Sequence, residues 1–219
     1  DIGMTDKDPA TIVGQSLVVG IQGSILNEAN LDLLRTLKPG GVILYKYNVL
    51  SEDQFKNLII ELQKIALQTS GIPYFIMLDE EPGGATRLGL FRDSILAGEV
   101  DWDSTENDIR KLAYMGVNVI LSPLADYSFG MESAINHRMP FDDAEDLVAF
   151  NRRFISLLIE NRISPTLKHF PGVGLIRGDT HVNFFHSQAT LDEIARSVDI
   201  FREGVDAGAR FVMTTHGIY

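Results

Sequence analysis

Residues 166–181 read TLKHFPGVGLIRGDTH, and the way this stretch divides decides the fold. An apolar approach ends in a cation and an imidazole, Lys168 and His169, and then breaks at Phe170-Pro171-Gly172. Beyond the break there is neither a helical nor a strand period, and Gly172, Gly174 and Gly178 punctuate the backbone. A strand therefore ends near Lys168 and a long loop begins. The loop carries an acid and a base two residues apart, Asp179 and His181. Loops so equipped usually serve a ligand.

The same alternation extends outward. Val13–Ile21 is an apolar run, read as a first strand, and Asn27–Leu37 has leucines spaced by three before the stop at Lys38-Pro39-Gly40. GVILY at 41–45 is a second strand. Ser51 and Gln54 form a capping box ahead of a helix with Phe55, Leu58, Ile59, Leu62, Ile65 and Ala66 on one face. YFIML at 74–78 is a third strand and exits into Asp79-Glu80-Glu81 and the turn Pro82-Gly83-Gly84. Ile109, Leu112 and Ala113 behind Thr105 predict a helix closed by Gly116, and Val117–Leu121 predicts a fourth strand. A long helix is expected from about Asp142, then the strand into Lys168. Thr190 and Glu193 cap a further helix that Gly208 ends, and RFVMTT at 210–215 is a sixth strand.

Strands apolar on both faces, alternating with amphipathic helices, imply a parallel sheet with helices outside it. Charged and polar residues gather where strands three to six end, as in both barrels and open doubly wound sheets. No strand leads into G-x-G-x-x-G, which disfavours a dinucleotide-binding sheet. The expectation is therefore an α/β protein of the (β/α)8 TIM-barrel type. Six strand–helix units are legible where a closed barrel has eight, so a single domain over residues 1–219, truncated after its sixth strand, is expected.

With 219 residues, 45% of them hydrophobic, the chain can bury one full core. A net charge of -11 opposes binding to nucleic acid or to an anionic membrane surface. No apolar run approaches the ~20 residues of a membrane-spanning helix. The absence of cysteine leaves the redox compartment open. The start at Asp1 suggests a processed or trimmed terminus.

Several side chains carry candidate chemistry. Asp179 can orient His181 and favour its protonated form, making the pair an acid/base dyad; an isolated D-x-H can also simply bond its local backbone. Lys168 and His169 are adjacent, so they face opposite sides unless the strand is already breaking there. Lys168 reads equally as a ligand contact or as the internal counter-charge of a carboxylate such as Asp79. Asp79 can accept hydrogen bonds from a polyhydroxylated substrate, and Arg87 and Arg138 can donate to one or serve packing. Glu81 is expected on the turn surface. His169, His181, His186 and Asp179 match no metal-ligand spacing, so no metal is expected.

KHFPGVGLIRGDTH resembles the signature of glycoside hydrolase family 3, in its β-N-acetylglucosaminidase (β-N-acetylhexosaminidase) branch, K-H-F-P-G-H-G-D-T-x-x-D-x-H. Lys168, His169, Phe170, Pro171, Gly172, Gly174, Asp179 and His181 stand in register. PGGVILYKYN is similar to the family's second strand, LDEEPGGATR to its D-x-E-G-G-R-V-x-R segment and VMTTH to its sixth strand. The resemblance implies the family's N-terminal barrel and a retaining glycosidase acting on terminal β-linked N-acetylglucosamine of peptidoglycan- or chitin-derived saccharides. It implies no metal or organic cofactor. In that frame His181 is the acid/base and Asp179 its partner. Asp79, Arg87, Arg138, Lys168 and His169 contact the sugar.

Departures stand beside these matches. Val173 and Leu175 replace the motif's His and Asp, and Pro82 shifts the glycine pair of the third-strand turn. The family's nucleophile, an Asp after the seventh strand, has no counterpart before Tyr219, so poor hydrolysis is expected of these residues alone. A saccharide-binding remnant without catalysis and a β-glucosidase of the same family are the alternatives; the D-T-H loop speaks against the latter. The extension ahead of the first strand resembles secreted members. Unpaired sheet edges imply self-association or pairing with a complementary segment.

Overall fold

The structure is a computed structural model, and it describes residues 8–91, 95–96, 99–131, 133, 138, 141, 143–178 and 183–219. Six strands, β1 (Val18–Gly20), β2 (Gly41–Leu44), β3 (Phe75–Leu78), β4 (Val119–Ile120), β5 (Ser164–Phe170) and β6 (Phe211–Thr214), form one sheet in sequence order. The β1–β2, β2–β3 and β5–β6 pairs are parallel. The helices are α1 (Pro9–Gly14), α2 (Glu28–Leu37), α3 (Glu52–Thr69), α4 (Trp102–Met115), α5 (Ala144–Glu160) and α6 (Leu191–Asp206). Strand and helix alternate from β1 to β6, which is the α/β order expected.

The chain forms two compact units, residues through Asp79 with Lys111–Val119, and Glu80–Arg110 with Ile120–Tyr219. In the first, Val42, Leu44, Ile76 and Leu78 of the sheet and Phe55, Leu58, Leu62 and Ala66 of α3 are buried. Each of these side chains larger than alanine contributes about 1.5–3 kcal/mol by leaving water. The Asn118 amide holds the start of β3, donating to the Tyr74 carbonyl at 3.0 Å and accepting from the Ile76 N–H at 2.7 Å. In the second unit the core gathers Ala125, Leu147, Ile155, Leu167, Ile200 and Phe201.

Three local expectations change, and one element is new. Val13 belongs to α1, not to a strand, because Asp8 caps that helix from its N-terminus and Pro9 occupies its first turn. The helix read behind Thr105 begins earlier: α4 starts at Trp102, the Ser104 N–H is held by Asp101, and the Thr105 hydroxyl returns to the Asp101 carbonyl at 2.7 Å. The Gln54 side chain accepts from the Leu50 N–H at 2.7 Å, so Ser51 caps α3 alone. An antiparallel ribbon, Ile95–Leu96 with Glu99–Val100, had no sequence signal. At Thr190 and Glu193 the full capping box forms. Among the described residues no helix is long and apolar enough to cross a membrane.

Candidate active site

The residues of interest in the second unit stand where strands end. Ile120 leads into an extended segment that runs beside β5: the Thr166 N–H donates to the Ser122 carbonyl, the Ala125 N–H to the Lys168 carbonyl at 2.9 Å, and Leu124 bridges to Lys168. Against β6 the register slips, with Lys168 opposite Met213 and Phe170 opposite Thr214. His169 is thus the additional residue of a bulge, which breaks the strict two-residue alternation. The Lys168–His169, Phe170–Pro171 and Ser122–Pro123 peptides are cis.

Glu81 is the first centre of the site, and the expectation that it lies on the turn surface is wrong: it is 2% exposed. The turn wraps around its carboxylate. The Ala85 N–H donates to Oε2 at 3.0 Å, and a Cβ on Gly84 would run into that same oxygen, which accounts for a glycine there. Arg138 grips the carboxylate with Nη2 at 2.6 and 2.7 Å from its oxygens, and Lys168 Nζ lies 2.5 Å from Oε1. Burial pushes the Glu81 carboxyl up, but the Lys168 ammonium and the Arg138 guanidinium outweigh it and hold the group below its ordinary range. Lys168, 2% exposed, therefore does have a buried counter-charge. The two cations on this carboxylate present N–H donors suited to fixing polar or electron-rich ligand oxygens.

Asp126 is the second centre. Its fully buried carboxylate takes the His169 N–H at 3.0 Å and the Val173 N–H at 2.7 Å on Oδ1, and faces His169 Nδ1 with Oδ2 at 2.8 Å. The carboxylate therefore fastens both the imidazole and the first turn of the loop. Gly174 completes that turn, because a Cβ there would stand 2.5 Å from the Tyr127 carbonyl oxygen. The Tyr219 hydroxyl donates to the Gly172 carbonyl at 2.7 Å; burial and then the Asp126 charge push that phenol up.

Glu80, also buried, shapes the loop that bears Arg87. It accepts the Arg87 N–H at 2.7 Å, the Leu88 N–H at 2.9 Å and the Thr86 hydroxyl. Burial raises its carboxyl, and the Thr86 and backbone donors only partly offset this. Asp79, half-buried, directly follows β3 in the first unit. Asp179 and His181 lie outside the described residues. On either side of them, Val173 and Ile176 pack with Leu124 and Phe185, and the Ile218 N–H donates to the Phe185 carbonyl at 3.0 Å.

The structure thus brings Lys168 and Arg138 together on Glu81 and places His169 on Asp126. Neither carboxylate was among the residues predicted to matter. Their one signal was position, since both lie within a few residues of the end of a buried-type strand. Among the described residues no three His, Cys, Asp or Glu side chains converge as a metal site would.

Comparison with known proteins decides what this arrangement belongs to. Residues 13–219 match the model of the glycosyl hydrolase family 3 N-terminal domain. The chain belongs to glycosyl hydrolase family 3. A beta-hexosaminidase of Xanthomonas campestris pv. campestris (strain B100) is 30% identical over 222 residues, covering 93% of this chain and 65% of that protein. The chain thus spans just under two thirds of the curated relatives' length.

Among solved structures, a family 3 beta-N-acetylglucosaminidase from Paenibacillus sp. str. FPU-7 superposes with a TM-score of 0.87 at 24% identity, covering 97% of this chain and 42% of that one. That likeness speaks for the fold alone. A beta-N-acetylhexosaminidase from Beutenbergia cavernae DSM 12333 gives a TM-score of 0.81 at 25% identity over 98% of this chain and 69% of that one. The six parallel strands and their helices are the α/β fold of the family 3 N-terminal barrel domain.

Proposed function

We propose that the whole protein is a retaining β-N-acetylhexosaminidase that removes terminal β-linked N-acetylglucosamine from peptidoglycan- or chitin-derived saccharides. The observation that carries this reading is the fixed pair Lys168 and His169, each on its own buried carboxylate, at the mouth of the loop bearing Asp179 and His181. Family membership and a 30% identical relative named beta-hexosaminidase support it.

In this reading Lys168, His169, Arg138, Arg87 and Asp79 hold the sugar. A carboxylate attacks the anomeric carbon, forming a glycosyl-enzyme as the glycosidic C–O bond breaks, and His181 gives its proton to the departing oxygen. His181 then takes a proton from water as that water releases the sugar, with Asp179 orienting the ring throughout. The attacking carboxylate is sought in the third of the relatives' length that this chain does not span. Family 3 chemistry of this kind calls on no cofactor.

The test is hydrolysis of the 4-nitrophenyl N-acetyl-β-glucosaminide against the corresponding β-glucoside by the whole protein. Preference for the N-acetyl substrate by more than about tenfold in kcat/KM is expected. Equal or better turnover of the glucoside would transfer the protein to the β-glucosidase reading, and binding without turnover of either would make it a saccharide-binding protein.

A further inference from the structure

Asp126 has more hydrogen bonds than a loop anchor requires, and their distribution constrains a proton. Oδ1 is occupied by two backbone donors, the His169 N–H at 3.0 Å and the Val173 N–H at 2.7 Å. Neither can reverse its role, so Oδ1 stays an acceptor and the carboxylate cannot turn about its axis without losing both. Oδ2 is thereby aimed at His169 Nδ1, 2.8 Å away. An ionised carboxylate only accepts, so Nδ1 must carry a hydrogen. The Asp126 side chain has no solvent exposure, and that of His169 is 17% exposed. The contact is sheltered while the ring retains access to the outside.

We propose that Asp126 is a positioning residue that fixes the His169 imidazole as its Nδ1–H tautomer, so that Nε2 presents a lone pair to a hydroxyl of the saccharide. This rests on the glycosidase reading above. Lys168 and Arg138, held on Glu81, are pure donors, so an accepting imidazole supplies the complementary half of the recognition that a sugar hydroxyl, both donor and acceptor, can satisfy.

Asp126→Asn is the discriminating variant. With both backbone N–H groups still demanding the amide oxygen, the amide nitrogen must face Nδ1. Being a donor, it requires a lone pair there and sends the ring proton to Nε2. An Asp126 whose Oδ2 did not engage Nδ1 would make no such demand on the imidazole.

The 15N resonances of the His169 ring in the 219-residue chain read this directly. We expect Nδ1 protonated and Nε2 bare in the unsubstituted chain at neutral pH, and the reverse in Asp126→Asn. A proton on Nε2 of the unsubstituted chain, as the other tautomer or as imidazolium, overturns the proposal, as does an identical pattern in both chains. If the variant does not fold, the unsubstituted spectrum alone decides. In the whole protein, Asp126→Asn should raise KM for the aryl N-acetyl-β-glucosaminide about tenfold, with a smaller change in kcat. A reversed tautomer with unchanged KM would sink the saccharide reading while leaving control of the tautomer standing.

Discussion

Glu81 gathers two cations on one carboxylate, and removing its charge takes that counter-charge from both. Glu81→Gln is expected to lose about 3 kcal/mol of stability, near the lower end for a broken buried pair because Arg138 retains some solvent contact. Urea denaturation of both chains measures it. The pH dependence has a definite sign. The folded-state carboxyl is held below 4.5, its ordinary value, so its contribution is complete above that pH and lost as pH falls through the folded value. The advantage of the unsubstituted chain over Glu81→Gln should therefore shrink in acid. A difference that is the same at neutral pH and well below 4.5 would contradict the ionised cluster.

Lys168 and His169 were legible at this scale because a cation and an imidazole ending an apolar run are conspicuous. Glu81 was not: a Glu beside Pro-Gly-Gly looks like an exposed turn, and what buries it, Arg138 and Lys168, comes from 57 residues along the chain and farther.

Elements obey local rules where local chemistry is strong. The Thr190–Glu193 box starts α6 as the sequence predicts, and Thr190→Ala should cost about 1 kcal/mol in chemical denaturation. Gly174→Ala should cost more, since its new Cβ would meet the Tyr127 carbonyl and force one of two backbone segments to move. Finding Gly174→Ala to be the milder change would remove the close approach from the account. The strand read at Val13 failed for a related reason. Hydrophobic runs do not distinguish a short buried strand from a helix turn, and the deciding signal was the Asp8-Pro9 start just upstream.

At the scale of the molecule, six alternating strand and helix units were enough to specify a parallel α/β sheet, because both-face apolar strands need helices on their faces. The order β1 through β6 confirms it. What periodicity could not specify was which strand-end carboxylates turn inward, since that depends on partners contributed by other units. β1 and β6 are the outermost strands of the sheet, and edges of this kind recruit further strands. The 219-residue chain is therefore expected to self-associate, with sedimentation showing a mass that rises with concentration; a single monomeric species across the range would refute this.

The central claim is that the loop after β5 performs acid/base catalysis on an N-acetyl-β-glucosaminide. Its most direct test is release of 4-nitrophenol from that glycoside by the whole protein and by its His181→Ala variant. The account predicts a loss of about 100- to 10,000-fold in the variant. Turnover unchanged by the substitution would contradict it.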